Sequence, residues 1–121
     1  MKSQTSKLLH QVAGRSLLSY AVDAAGAVDP QHLVVVVGHQ RDQVEAHLAE
    51  IAPGVTITVQ ERPLGTGDAV RAGLTGIPEV AGEIVVTYGD VPLLTGATLS
   101  SLVAHHRACG DAVTVLTTVL D

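Results

Sequence analysis

Residues 33–37, Leu-Val-Val-Val-Val, form an unbroken apolar run closed by Gly38. Such a run predicts a strand buried on both faces. Residues 55–59, Val-Thr-Ile-Thr-Val, alternate strictly, which predicts an edge strand with one face partly wet. Residues 84–88, Ile-Val-Val-Thr-Tyr, predict a third strand stopped by Gly89, and residues 112–118, Ala-Val-Thr-Val-Leu-Thr-Thr, a fourth. Helical spacing fills the intervals. Ser16 can cap a helix with Leu17, Leu18, Ala21, Val22 and Ala25 on one stripe, ending near Gly26. Val44, Leu48 and Ile51 mark a second helix with a charged outer face. Val70 and Leu74 mark a short third after the turn Gly65-Thr66-Gly67. Thr95 or Thr98 opens a fourth, carrying Leu99, Leu102, Val103 and His106. Strands alternating with helices through short connections predict one α/β domain over residues 1–121 with a mostly parallel sheet. The chain opens on a polar stretch and a helix rather than on the strand that usually begins such a fold, so either the architecture differs or the first strand is missing.

Composition narrows the function classes. Aromatics are nearly absent, with two Tyr and no Phe or Trp, so the core must be built from Val, Leu, Ile and Ala. The formal net charge is −5, and the seven Lys and Arg are scattered, which argues against a nucleic-acid surface. A small phosphorylated ligand needs only one or two placed cations and a metal ion. Cys109 is the sole cysteine, which excludes an internal disulfide and a Cys-cluster metal site; its helix-like, apolar setting reads as packing. His105 and His106 are adjacent and point to different helix faces, and His39 and His47 flank a helix start, so no histidine metal site is expected. No apolar run reaches membrane-spanning length, and the N-terminus has no signal-peptide pattern. A reducing cytoplasm is the expected compartment.

In open parallel sheets, ligands bind beyond the carboxyl ends of the strands. Gly38 and His39 follow the first predicted strand, Gln60 the second, and Tyr88, Gly89 and Asp90 close the third. The Gly65-Thr66-Gly67 turn leads into a helix N-terminus, where unspent backbone N–H groups can meet an acceptor. All of these are expected at one rim. Taken singly, Gly65-Thr66-Gly67 reads equally well as a tight turn, Asp90 before Val91-Pro92 as a turn initiator, and Lys7 as a solvated charge. The P-loop lysine and the dinucleotide-fingerprint spacing are both absent.

Jointly, three segments resemble one family, the N-acetylglucosamine-1-phosphate uridylyltransferases. They are Lys7-Leu8-Leu9-His10 with Gly14-Arg15-Ser16-Leu17-Leu18, the run from Gln60 to Ala69 (Gln-Glu-Arg-Pro-Leu-Gly-Thr-Gly-Asp-Ala), and the run from Val86 to Leu94 (Val-Thr-Tyr-Gly-Asp-Val-Pro-Leu-Leu). The resemblance implies a Rossmann-like, GT-A-like nucleotidyltransferase fold, a three-layer α/β sandwich. It implies transfer of UMP from UTP to N-acetylglucosamine 1-phosphate, with Mg²⁺, releasing pyrophosphate and giving a cell-wall precursor. By the same resemblance, Gln60, Gly65 and Thr66 read the uracil edge. Asp90 holds Mg²⁺, Lys7 neutralises phosphate charge, and Tyr88 and Gly89 line the sugar site.

The departures carry expectations of their own. The family's first strand and glycine-rich loop precede the matched region, Met1 aligning with that loop's last residue, and Ser6 replaces the usual Pro. The family's later sugar-binding residues, second metal ligand and acetyltransferase domain, through which the parent protein is expected to trimerise, follow Asp121. In the family's strand order the missing strand lies between 33–37 and 84–88. The isolated chain is therefore expected to be a fragment, marginally stable and inactive or nearly so. Sibling enzymes using GTP or CTP, such as molybdenum-cofactor guanylyltransferases or isoprenoid cytidylyltransferases, are the nearest alternative, and a non-catalytic nucleotide-binding module is another. A signalling receiver domain is rejected, because no Lys follows Lys7 and no acidic cluster ends the early strands.

Overall fold

The computed structural model describes residues 6–38 and 40–121. Met1 and His39, both used in the sequence reading, lie outside the described residues. The chain begins with a 3₁₀ turn at Lys7–Leu9, then a short antiparallel hairpin of β1 (Gln11–Val12) and β2 (Arg15–Ser16). Next come α1 (Leu17–Gly26), β3 (Val34–Val37), α2 (Arg41–Ile51), β4 (Thr56–Val59), α3 (Thr66–Leu74) and α4 (Gly96–Cys109).

Each helix predicted from spacing forms. Ser16 caps α1, its side chain accepting from the Ser19 N–H at 3.0 Å. The same Ser16 Oγ lies 2.6 Å from His47 Nε2, tying the start of α1 to α2. Thr95 caps α4 in the same way through the Thr98 N–H. Each cap meets one of the donors that a helix start leaves unsatisfied.

β3, α2 and β4 make a β-α-β unit whose strands pair in parallel, Val34 opposite Thr56 through Val37 opposite Val59. Because side chains alternate across a strand, the pair has two different covers. On one face Val35, Val37, Ile57 and Val59 pack with Leu8, Leu18, Val22, Val44 and Leu48, and Leu48 is 1% exposed. On the other face, Val36 and Val34 approach Gly73 of α3, and Thr58 and Thr56 approach Gly76 just beyond it. The pair is thus sandwiched between helices, as the α/β reading requires. The edge-strand reading of 55–59 holds, since β4 pairs with β3 alone among the described residues, but its wet face is corrected: Thr58 is buried at 9% exposure, because the end of α3 lies over it. Ile51, expected inside, is half-exposed at the last turn of α2.

A larger correction concerns 84–88 and 112–118, neither of which forms a strand. A strand exists only where a neighbour completes its backbone ladder. Here Ile84, Val85 and Val86 line, together with Val34, Val35 and Val36, a groove of about 870 Å³ rather than pairing with them. The groove lies where the resemblance expects one strand between these two segments. Val113, Val115, Leu116, Val119 and Leu120 are likewise exposed along the C-terminal segment. α4 packs on α1, with Gly96 against Ala24 and Ala27, and Arg107 near its end grips Glu83 with two hydrogen bonds of 2.8 and 3.0 Å.

Candidate functional site

Gln60 continues β4 by one residue, its N–H donating to Val37 O at 2.8 Å. This carries its side chain to the carboxyl end of the parallel pair. There Gln60 Nε2 donates to Gly65 O at 3.2 Å and to Asp68 Oδ2 at 3.0 Å. Gly65 has φ +103, a conformation that favours glycine, and it caps α3. Its carbonyl serves both Gln60 and the first helical N–H, that of Ala69. Thr66 is the first residue of α3.

Asp68 was not singled out in the sequence, although an acid in the first turn after a Gly-Thr turn is a recognisable signal. Gln60's side-chain hydrogen bond, then Arg71's at 2.9 Å, hold the Asp68 carboxyl below the ordinary range. An ionised carboxylate only accepts, so the amide must present its NH₂ to Asp68. Gln60 Oε1 is therefore left as an acceptor beside the helix N-terminus.

The second cluster joins residues 83 apart. Lys7 Nζ donates to Asp90 Oδ2 at 3.0 Å. The 3₁₀ turn at Lys7–Leu9 places Leu8 against the Gly89 backbone, where an added Cβ would stand 3.0 Å from Leu8 Cδ2. Lys7 and Asp90 are brought together by that close approach. Asp90 offers one hard carboxylate at intermediate exposure. One carboxylate, supplemented by phosphate oxygens and water, suits Mg²⁺, so the residues present fit that ion.

The clusters share one hollow. Gln60, Gly65, Thr66, Tyr88 and Gly89 all line the 870 Å³ groove, and the Lys7–Asp90 pair adjoins it through Leu8 and Gly89. Among the described residues no side-chain hydrogen bond or ion pair ties Gln60 or Asp68 to Lys7 or Asp90; each cluster is held by its own partners. Tyr88 is 60% exposed, a ring held beside the groove rather than packed in a core. Among the described residues, no helix is long and apolar enough to cross a membrane.

Comparison with known proteins gives the chain's relatives. A bifunctional protein GlmU from Cutibacterium acnes is 62% identical over 117 residues, 97% of this chain and 28% of that protein. Its counterpart from Streptomyces coelicolor is 57% identical over 118 residues, 97% of this chain and 24% of that protein. One from Mycobacterium bovis is 51% identical over 126 residues, 100% of this chain and 26% of that protein. The chain thus spans about a quarter of the length of these curated relatives, and the recognition made on its three segments is borne out. Residues 1–119 match the MobA-like NTP transferase domain, and the chain belongs to that family.

Proposed function

We infer that this chain supplies base-reading and phosphate-side residues of an enzyme that transfers UMP from UTP to N-acetylglucosamine 1-phosphate, releasing pyrophosphate. The observation that carries the reading is the shared groove, which Gln60, Gly65, Thr66, Tyr88 and Gly89 all line, with the Lys7–Asp90 pair next to Gly89.

The amide orientation supports a base with an N–H at its pairing edge. Gln60 Nε2 is occupied by Gly65 and Asp68, and the remaining Oε1 accepts. At the ring nitrogen of that edge uracil offers N3–H and guanine N1–H, whereas cytosine N3 and adenine N1 are acceptors. A site built for one pattern rejects the other because a polar group would be left unpaired. The resemblance of the Gln60–Ala69 run favours uracil over guanine. Backbone N–H groups at the start of α3 would complete the edge.

Asp90 would hold Mg²⁺, which supplies charge neutralisation on the phosphates. Lys7 would leave Asp90 to bind phosphate oxygen, a modest exchange because the pair is exposed. Tyr88 would stand beside the sugar, and Gly89, without a side chain, lets the Leu8 segment approach. Attack of the sugar phosphate on the α-phosphorus needs no covalent enzyme intermediate, so positioning and charge would do the catalysis.

Calorimetry with UDP, GDP and CDP in Mg²⁺ tests the reading. UDP should bind most tightly. Equal heats for UDP and CDP would refute base reading by Gln60, and a GDP preference would move the chain to the guanylyl-transferring siblings.

A further inference from the structure

The last turn of α4 carries the sole cysteine, and the structure shows it exposed rather than packed. Residues four apart on a helix share a face, and Cys109 Sγ lies 3.6 Å from His105 Nε2. Gly110 then adopts a left-handed conformation, φ 65. Its N–H and that of Asp111 both donate to His106 O, at 3.0 and 3.3 Å. This turn folds the chain back, and the ligand atoms of His105, Cys109 and Asp111 come to lie within 4.8 Å of one another.

An imidazole nitrogen, a thiolate and a carboxylate oxygen form a donor set suited to a borderline-soft divalent ion. The geometry fits as well as the chemistry. With Zn–S about 2.3 Å and Zn–N about 2.0 Å at a tetrahedral angle, sulfur and nitrogen stand roughly 3.5 Å apart. The Cys109–His105 separation of 3.6 Å matches that span. An Asp111 carboxylate oxygen already lies within 4.8 Å of both, on an exposed side chain that packing does not confine. Thr114 Oγ1 donates to Asp111 Oδ2 at 3.4 Å and lies 2.8 Å from His106 Nδ1. It can thus steady the carboxylate from outside, as partners behind a metal ligand do. The nearby cation Arg107 is engaged by Glu83.

We propose that His105, Cys109 and Asp111 form a surface site for Zn²⁺, with water completing the tetrahedron. Binding forms a Zn–S bond and releases the thiol proton to solvent. Because Asp111 lies beyond the helix, the ion clamps the end of α4 to the start of the 112–118 segment. The site shares no residue with the groove and does not rest on the transferase reading.

Titration of the reduced 121-residue chain with Co²⁺, followed by Zn²⁺, tests it. One equivalent of Co²⁺ should give a thiolate-to-metal charge-transfer band, which Zn²⁺ displaces. Cys109→Ser should abolish the band, and His105→Ala and Asp111→Asn should each weaken Zn²⁺ binding by roughly tenfold or more. His10→Ala, on the opposite end of the chain, should change nothing, and circular dichroism should show each variant folded. Absence of the band in the native chain overturns the proposal. So does a Zn²⁺ affinity unmoved by any one of the three ligand substitutions.

Discussion

Asp68 sets the polarity of the Gln60 side chain: its Oδ2 takes the Gln60 NH₂ at 3.0 Å and so leaves the amide oxygen as the remaining acceptor. In Asp68→Asn the new amide can donate or accept, and Gln60 is free to turn over. The expected outcome is a loss of roughly tenfold in the UDP-over-CDP affinity ratio, read by calorimetry, with the fold intact. An unchanged ratio would show that Gln60 is oriented by Gly65 alone.

The same carboxylate predicts an acid dependence. Gln60 and then Arg71 lower the Asp68 pKa in the folded chain, so its contribution to stability is complete above the unfolded value near pH 4 and is lost as pH falls through the folded one. Glu83, lowered chiefly by its hydrogen bond to Arg107, behaves with the same sign. The Gln60 side-chain amide signals in NMR should hold steady down to about pH 4 and shift below it. A midpoint above the ordinary carboxylate range would contradict the assignment.

Lys7 and Asp90 should separate binding from stability. Their contact is exposed, with Lys7 74% and Asp90 36% accessible, and solvent screening limits such pairs to about 0–1 kcal/mol. Lys7→Ala and Asp90→Asn are expected to leave urea midpoints almost unchanged while weakening UDP binding in Mg²⁺ by roughly tenfold. A large stability loss with normal binding would make the pair a structural tie.

Packing at the α1–α4 contact tolerates no enlargement. A Cβ added at Gly96 would stand 2.3 Å from Ala27 Cβ and 3.4 Å from Ala24 O. Gly96→Ala should therefore force the helices apart and destabilise the chain by about 1–3 kcal/mol. Leu48→Ala, at the centre of the core, should cost about 2–5 kcal/mol through the cavity it leaves. Denaturant unfolding measures both.

The helices were legible because their signals are local. Ser16 and Thr95 cap through their own neighbours, and Val44 and Leu48 repeat at helical spacing. The parallel pairing of β3 and β4 followed from two short runs joined by a helix. Residues 84–88 and 112–118 have equal strand character, but pairing depends on a neighbour that no segment encodes by itself. Thr58 misled for a related reason, since alternation cannot reveal a helix end lying over the polar face. At the site, Gln60, Gly65, Asp90 and Lys7 stood out as unusual residues at element ends. Asp68 and the His105–Cys109 pair did not, because each acts through a partner that only the folded helix brings near.

The groove between β3 and residues 84–86 divides the molecule energetically. Hydrogen-bonded amides inside the β3-α2-β4 unit exchange with deuterium only when that unit opens, whereas those of 84–88 and of the C-terminal segment have no ladder to shield them. One free energy of unfolding will consequently describe the βαβ unit, while residues 84–88 and the segment after α4 already lie open to water along most of their length.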